Sequence, residues 1–233
     1  MAFDIHQLDE MDDFDEEVFY PYHDELLELF QNSPEGQAFA QTHSGMGFWA
    51  HGLMEYGYNY TGATLTGMDA GHVNELLTEI FPRKVSLGAP EDADDALPEL
   101  IAFWEYLQRA YKLPNADEVL DCLRALKPAQ FRAWMNDSSR FGVAKSFFAM
   151  GQQAGFDMST QEGNAAFMQH YNANLARPAT TPSMLELLGA SLQRSALGGA
   201  GLVPVGRDKK DAAKAKHLRK IARESRKKNR KRR

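Results

Sequence analysis

The chain of 233 residues contains a single cysteine, Cys122. That excludes an internal disulfide and a multi-thiolate zinc site. Cys122 sits in the apolar helical pattern DEVLDCLRAL, flanked by Asp117, Glu118 and Asp121. A thiol there reads as a buried small hydrophobe, because a nucleophilic thiolate needs an electropositive setting. No stretch approaches the ~20 consecutive apolar residues that span a bilayer, so no membrane partner is expected. The opening residues MAFDIHQLDEMDDFDEE are acidic and lack the charged-then-apolar pattern of a secretory signal. The expected location is the cytoplasm, or the nucleus if the source is eukaryotic. Neither G-x-S-x-G nor G-x-x-x-x-G-K-[ST] occurs, and Ser, His and Asp are scattered without a nucleophile context. No catalytic residue, cofactor or metal is expected, and the chain reads as non-enzymatic.

Aromatic residues are not scarce. With 14 Phe, 8 Tyr and 3 Trp the chain can build a substantial core. Charge is unevenly placed. Residues 207–233 hold 15 Lys/Arg and three Asp/Glu, a net of +12, whereas residues 1–206 hold 11 and 29, a net of −18. Such a split speaks about partners rather than fold. At low salt the cationic arm should also fold back on the acidic part, since screening sets in over only ~8 Å at physiological salt.

The apolar residues recur at helical spacing. Val18, Phe19, Tyr22, Leu26, Leu29 and Phe30 predict a helix over about 15–31, with Pro21 in its first turn. Ser33-Pro34 predicts a short helix to about Thr42. Residues 45–67 carry both a helical stripe (Trp49, Leu53, Tyr56, Tyr60) and an alternating one. Helix is favoured, although Gly52 and Gly57 each weaken it by ~1 kcal/mol. The glycines at 47, 52, 57, 62 and 67 repeat every five residues and match neither period.

Further along, Asp69 is read as the cap of a helix ended by Pro82. A strong stripe follows from Leu97 to Tyr111, with Pro98 in the first turn. Asn115 is read as the cap of a helix through Leu126, and Pro128 as the opening of another through Met135. Ser138 is read as the start of a helix ending near Gly155, and Ser159 with Glu162 as a capping box. The expected core residues are Trp104, Leu107, Leu123, Trp134, Phe147 and Phe167. The fold class is therefore all-α, a multi-helix bundle or helical array of short helices with a flexible basic C-terminal arm. The expected order is an acidic frayed N-terminus (1–14), a helical body (15–175), an Ala/Gly/Pro/Ser-rich linker (176–206) with a Leu-rich helix at 184–194 capped by Ser183 and Glu186, and the arm (207–233).

Three motifs invite a sharper reading. Gly45, Gly47 and Ala50 match G-x-G-x-x-A, but EGQAFAQTHS before them is not a strand, as a dinucleotide site requires. His51 with Glu55 and His72 with Glu75 have the spacing of a metal pair on one helix face, with His23, Asp24 and Glu28 as further ligands. Their plainer reading is surface polarity and helix-stabilising pairs.

The arm, KHLRKIARESRKKNRKRR, is denser in cations than an ordinary solvated face. Its plain reading is a solubility or import tail. Its functional reading is phosphate-backbone binding by Lys216, Arg219, Lys220, Arg223, Arg226, Lys227, Lys228, Arg230, Lys231, Arg232 and Arg233. On a helix, residues 219, 223, 226 and 230 share one face. No aromatic residue in the arm offers base stacking. The expectation is an accessory protein on nucleic acid, RNA or ribonucleoprotein ahead of DNA. One alternative is a protein-interaction adaptor using surfaces at 46–60 and 184–192. The other, weaker still, is an enzyme with a helical His/carboxylate metal site.

Overall fold

The apolar stripes become helices. The computed structural model describes residues 3–11 and 14–175, and every regular element among them is helical. Helix α1 (Glu16–Gln31) starts at Asp15, whose side chain accepts the Glu17 amide. Pro21 lies inside this helix rather than in its first turn. The Glu17 carbonyl thereby loses a donor, and both residues are on the exposed face, where water replaces it. Helix α2 (Pro34–Ala40) is capped by Ser33 as the sequence indicated.

Residues 45–67 fold as helix α3 (Phe48–Tyr56), a π turn (Gly57–Thr61) and a 3-10 turn (Leu65–Gly67). The five-residue glycine spacing is a coincidence of separate roles. Gly47 and Gly62, at φ +101° and +73°, bound the helical stretch in left-handed conformations. Gly57 sits where a Cβ would come within 2.6 Å of Met68.

Asp69 caps α4 (Ala70–Glu75), which passes through a π turn (Leu76–Ile80) into α5 (Phe81–Lys84). Pro82 therefore does not end the helix. The carbonyl its ring leaves without a donor is that of Thr78, and the Arg140 guanidinium donates to it at 2.9 Å. A 3-10 segment (Pro90–Asp95) leads into α6 (Ala96–Tyr111), followed by α7 (Ala116–Ala125) and α8 (Pro128–Asn136). Asn115 precedes α7 but does not cap it through its side chain. Its amide instead donates to the carbonyls of Leu65 (2.8 Å) and Met68 (2.5 Å).

Ser138 opens only a 3-10 turn. The chain breaks at Phe141-Gly142 before α9 (Val143–Gln153). Gly155, at φ +83°, ends α9: its amide reaches the Gln152 carbonyl and that of Phe156 reaches Gly151. Helix α10 (Gln161–Leu175) is capped by Thr160, which accepts from Gly163, while Ser159 bonds to Asp157 instead of forming a box with Glu162.

Helix α6 is the hub, with α2, α3 and α7 packed on it. Trp104, Leu107 and Leu123 are wholly buried, as are Phe19, Phe30, Phe81, Phe103 and Phe131. Trp134 is only half-buried, because Phe131 and Met135 take the inward face of α8. Phe147 is half-buried, and Phe167 is buried against it in a satellite cluster outside the main core. Residues 3–11, expected to fray, pack onto the body. Ile5 and Leu8 are buried, Tyr22 donates to the Ile5 carbonyl, and Asp9 accepts the hydroxyls of Thr64 and Thr66.

Candidate functional site

Three sets of polar groups are enclosed within the body. The first is Glu99, in the first turn of α6 and fully buried. Its Oε1 accepts the Ala50 amide at 2.8 Å, at the N-terminus of α3, and among the described residues its Oε2 has no hydrogen-bond partner. Burial pushes its carboxyl up to about 7, against the pull of the amides of Ala50, Gly47 and Trp49. This arrangement bears directly on the dinucleotide motif. The Gly45–Ala50 loop follows helix α2, not a strand, and the amide that a pyrophosphate would need is taken by a protein carboxylate.

The second is the histidine cluster. His51 pairs with Glu55 at 3.3 Å, and the His23 ring stands edge-on to His51 at 5.3 Å. His23 is buried against Phe19, and among the described residues neither ring nitrogen has a hydrogen-bond partner. Burial, then His51, holds its pKa well below the ordinary histidine value, so the ring is neutral. Asp24 and Glu28 lie on the exposed face of α1. His72 serves the cap of α4, accepting the Asp69 amide through Nδ1 while Asp69 accepts its own. Thus the structure joins His51 to Glu55 and His23, and places His72 in a cap. Among the described residues no group of three or more His, Cys, Asp or Glu is arranged to hold a metal ion. Cys122 is half-buried rather than buried, and its thiol donates to the Ala70 carbonyl at 3.7 Å. Burial, then Glu118, pushes its pKa up, opposite to what a nucleophile needs.

The third is Lys145, buried on α9 and, among the described residues, without an ion-pair partner. Its Nζ donates to the carbonyls of Pro82 (3.0 Å) and Met135 (2.8 Å), where α5 and α8 end, and lies 4.1 Å from the centre of the Phe141 ring. Burial pushes its ammonium down to about 8. Cations at helix C-termini are favoured by unpaired carbonyls and the macrodipole.

A groove of about 380 Å³ runs between α2 and α6. Its floor is Pro34, Ala38, Phe39, Pro98, Ile101 and Ala102, and its two carboxylates, Glu35 and Glu105, are already paired with Arg109 and Arg124. In the aromatic stretch 46–60 most large side chains face the core, while Met46, Phe48 and Tyr60 are half-buried. Trp49, Leu53, Met54, Tyr56 and Tyr58 are all buried, with Trp49 5.6 Å from Phe81 and 5.5 Å from Phe131.

The arm residues Lys216, Arg219, Lys220, Arg223, Arg226, Lys227, Lys228, Arg230, Lys231, Arg232 and Arg233 lie outside the described residues, as do the linker 176–206 and the Leu-rich segment 184–192. No helix among the described residues is long and apolar enough to cross a membrane. No protein-family model, curated protein or solved structure matches the chain.

Proposed function

We propose that this is a non-enzymatic accessory protein that associates with nucleic acid, RNA or ribonucleoprotein ahead of DNA, through its basic arm at 207–233. The observation that carries this reading is where positive charge is available. The described residues hold 26 Asp/Glu against nine Lys/Arg, and no Lys or Arg occurs before Arg83. Most of those nine are engaged internally. Arg109, Arg124, Arg132 and Arg140 are ion-paired, and Lys84 and Lys145 are buried. On α1, Glu17, Asp24 and Glu28 share an exposed face at i, i+7, i+11. Such a body repels a phosphate backbone, so the 15 cations of the arm supply the attraction.

The adaptor reading comes second because most large side chains of 46–60 are buried, which leaves it Met46, Phe48, Tyr60 and the segment at 184–192. RNA is placed ahead of DNA because arginine-rich segments fold on RNA.

The test is a salt titration of the full chain against mixed-sequence RNA and duplex DNA, followed by fluorescence anisotropy. With ~6–10 phosphate contacts, affinity should fall by ~10³–10⁵ between 50 and 200 mM salt. Replacing all 15 Lys and Arg of residues 207–233 with Gln should abolish most of it. A variant that binds as tightly as the unaltered chain puts recognition in the body. A full chain that binds no polyanion at low salt leaves the arm as a solubility or targeting segment.

A further inference from the structure

Helix α9 carries its apolar side outward. Its buried residues are Lys145 and Gly151, whereas Val143 is 41% exposed and Phe147, Phe148 and Met150 are only half-buried. At about 100° per residue, Val143, Phe147 and Met150 form one stripe and Lys145 lies on the opposite side. Lys145 is fixed to the carbonyls of Pro82 and Met135, and the Gly142 amide is bonded to the Arg83 carbonyl. The stripe therefore points away from the body. Helix α10 covers part of it, with Phe167 4.7 Å and Tyr171 5.6 Å from Phe147, and Met158 packed over Gly151. Met168 on α10 is left 53% exposed. The hairpin of α9 and α10 thus keeps Val143, Met150 and Met168 partly accessible, apolar side chains that two helices do not close.

We propose that this face is the docking site of residues 183–192 of the same chain. Helix α10 ends at Leu175, eight residues before Ser183. Eight residues extend up to ~26–29 Å, more than the ~22 Å length of a 15-residue helix. The segment can therefore turn back along the hairpin. Its sequence, SMLELLGASL, has a capping box in Ser183 and Glu186 and an apolar stripe in Met184, Leu187 and Leu188 continued by Leu192. A helix this short is marginal alone and needs a surface, and α9–α10 leaves apolar side chains uncovered next to where the chain leaves α10. The tether also selects the occupant. A short linker gives an effective concentration in the millimolar range, which a second copy of the chain does not match. The docking stands whether or not the arm binds nucleic acid.

Hydrogen exchange on the full chain tests the docking from both sides. Leu187→Asp with Leu188→Asp should raise exchange in α9 and α10 by roughly tenfold or more while α6 and α7 are unchanged. The reciprocal Met168→Asp, at an exposed position that the fold tolerates, should raise exchange across 184–192 by a similar factor. Both effects should be the same from about 1 to 100 µM protein, as expected of a tethered partner. If either variant leaves the opposite element unchanged, the proposal fails. Protection that grows with protein concentration also overturns it and assigns the face to a second copy.

Discussion

The carboxylate of Glu99 accepts the amide of Ala50 at 2.8 Å while wholly buried, joining the first turn of α6 to the first turn of α3. Burial raises its folded-state pKa from 4.5 to about 7. Between those values the folded protein holds a proton that the unfolded chain has lost. The neutral form's contribution is full below about 4.5 and is lost as pH rises through about 7, a swing on the order of 3 kcal/mol. Glu99→Gln cannot ionise, and its carbonyl still accepts from Ala50. It should match the unaltered protein near pH 5 and exceed it near pH 8 in urea denaturation. An unchanged pH dependence in the variant would show that Glu99 is ionised in the fold.

His23 acts in the opposite direction. Its folded-state pKa lies below 6.5 because burial and His51 disfavour the cation. Stability from the neutral ring is present above 6.5 and is lost as pH falls toward the folded value. His23→Phe removes two unpartnered nitrogens and the titration together. It should stabilise the protein by about 1 kcal/mol near pH 7 and by more near pH 5. Loss of stability at both pH values would mean the pocket does not accept the larger ring.

Why these groups escaped sequence reading is specific to each. Helix existence followed from stripes such as Leu97–Tyr111, because a period of 3.6 is a local property. Glu99 looks like one more acidic residue in a first turn, and its burial depends on a loop 49 residues away. Lys145 lies opposite the Val143–Phe147–Met150 stripe, which marks a solvent-facing residue on an ordinary amphipathic helix. Here the body presents carbonyl ends rather than an apolar surface, so the face is reversed. Pro82 reads as a stop because the donor that replaces its missing N–H belongs to Arg140, in another element. The aromatic stretch 46–60 reads equally as surface or core, since periodicity gives a face but not what covers it.

The two tryptophans expected in the core should separate on truncation. Trp104 is wholly buried on the hub helix, so Trp104→Ala should cost ~3–5 kcal/mol. Trp134 is half-buried, with the Arg140 guanidinium 5.6 Å from its ring. Trp134→Ala should cost about 1 kcal/mol. Chemical denaturation of both variants decides it, and equal losses would place Trp134 in the core after all.

Lys145→Met keeps the length and apolar stem of the side chain and removes its donors. The carbonyls of Pro82 and Met135 then lose their partner, which costs about 1–3 kcal/mol for a buried acceptor. Relief from burying the ammonium offsets part of this, since burial already holds Lys145 down near 8. The net effect should be local. Helix α9 packs on α5 and is tied to the body by these two bonds and by the Gly142 amide on the Arg83 carbonyl, whereas α6 and α7 are held by wholly buried residues such as Trp104, Leu107 and Leu123. Hydrogen exchange should therefore rise in α9 and α10 and stay unchanged in α6 and α7. Arg at the same position should not rescue, because its wider guanidinium does not fit between two helix ends built around an ammonium. Uniform loss of protection across all helices would show instead that Lys145 belongs to the one cooperative core.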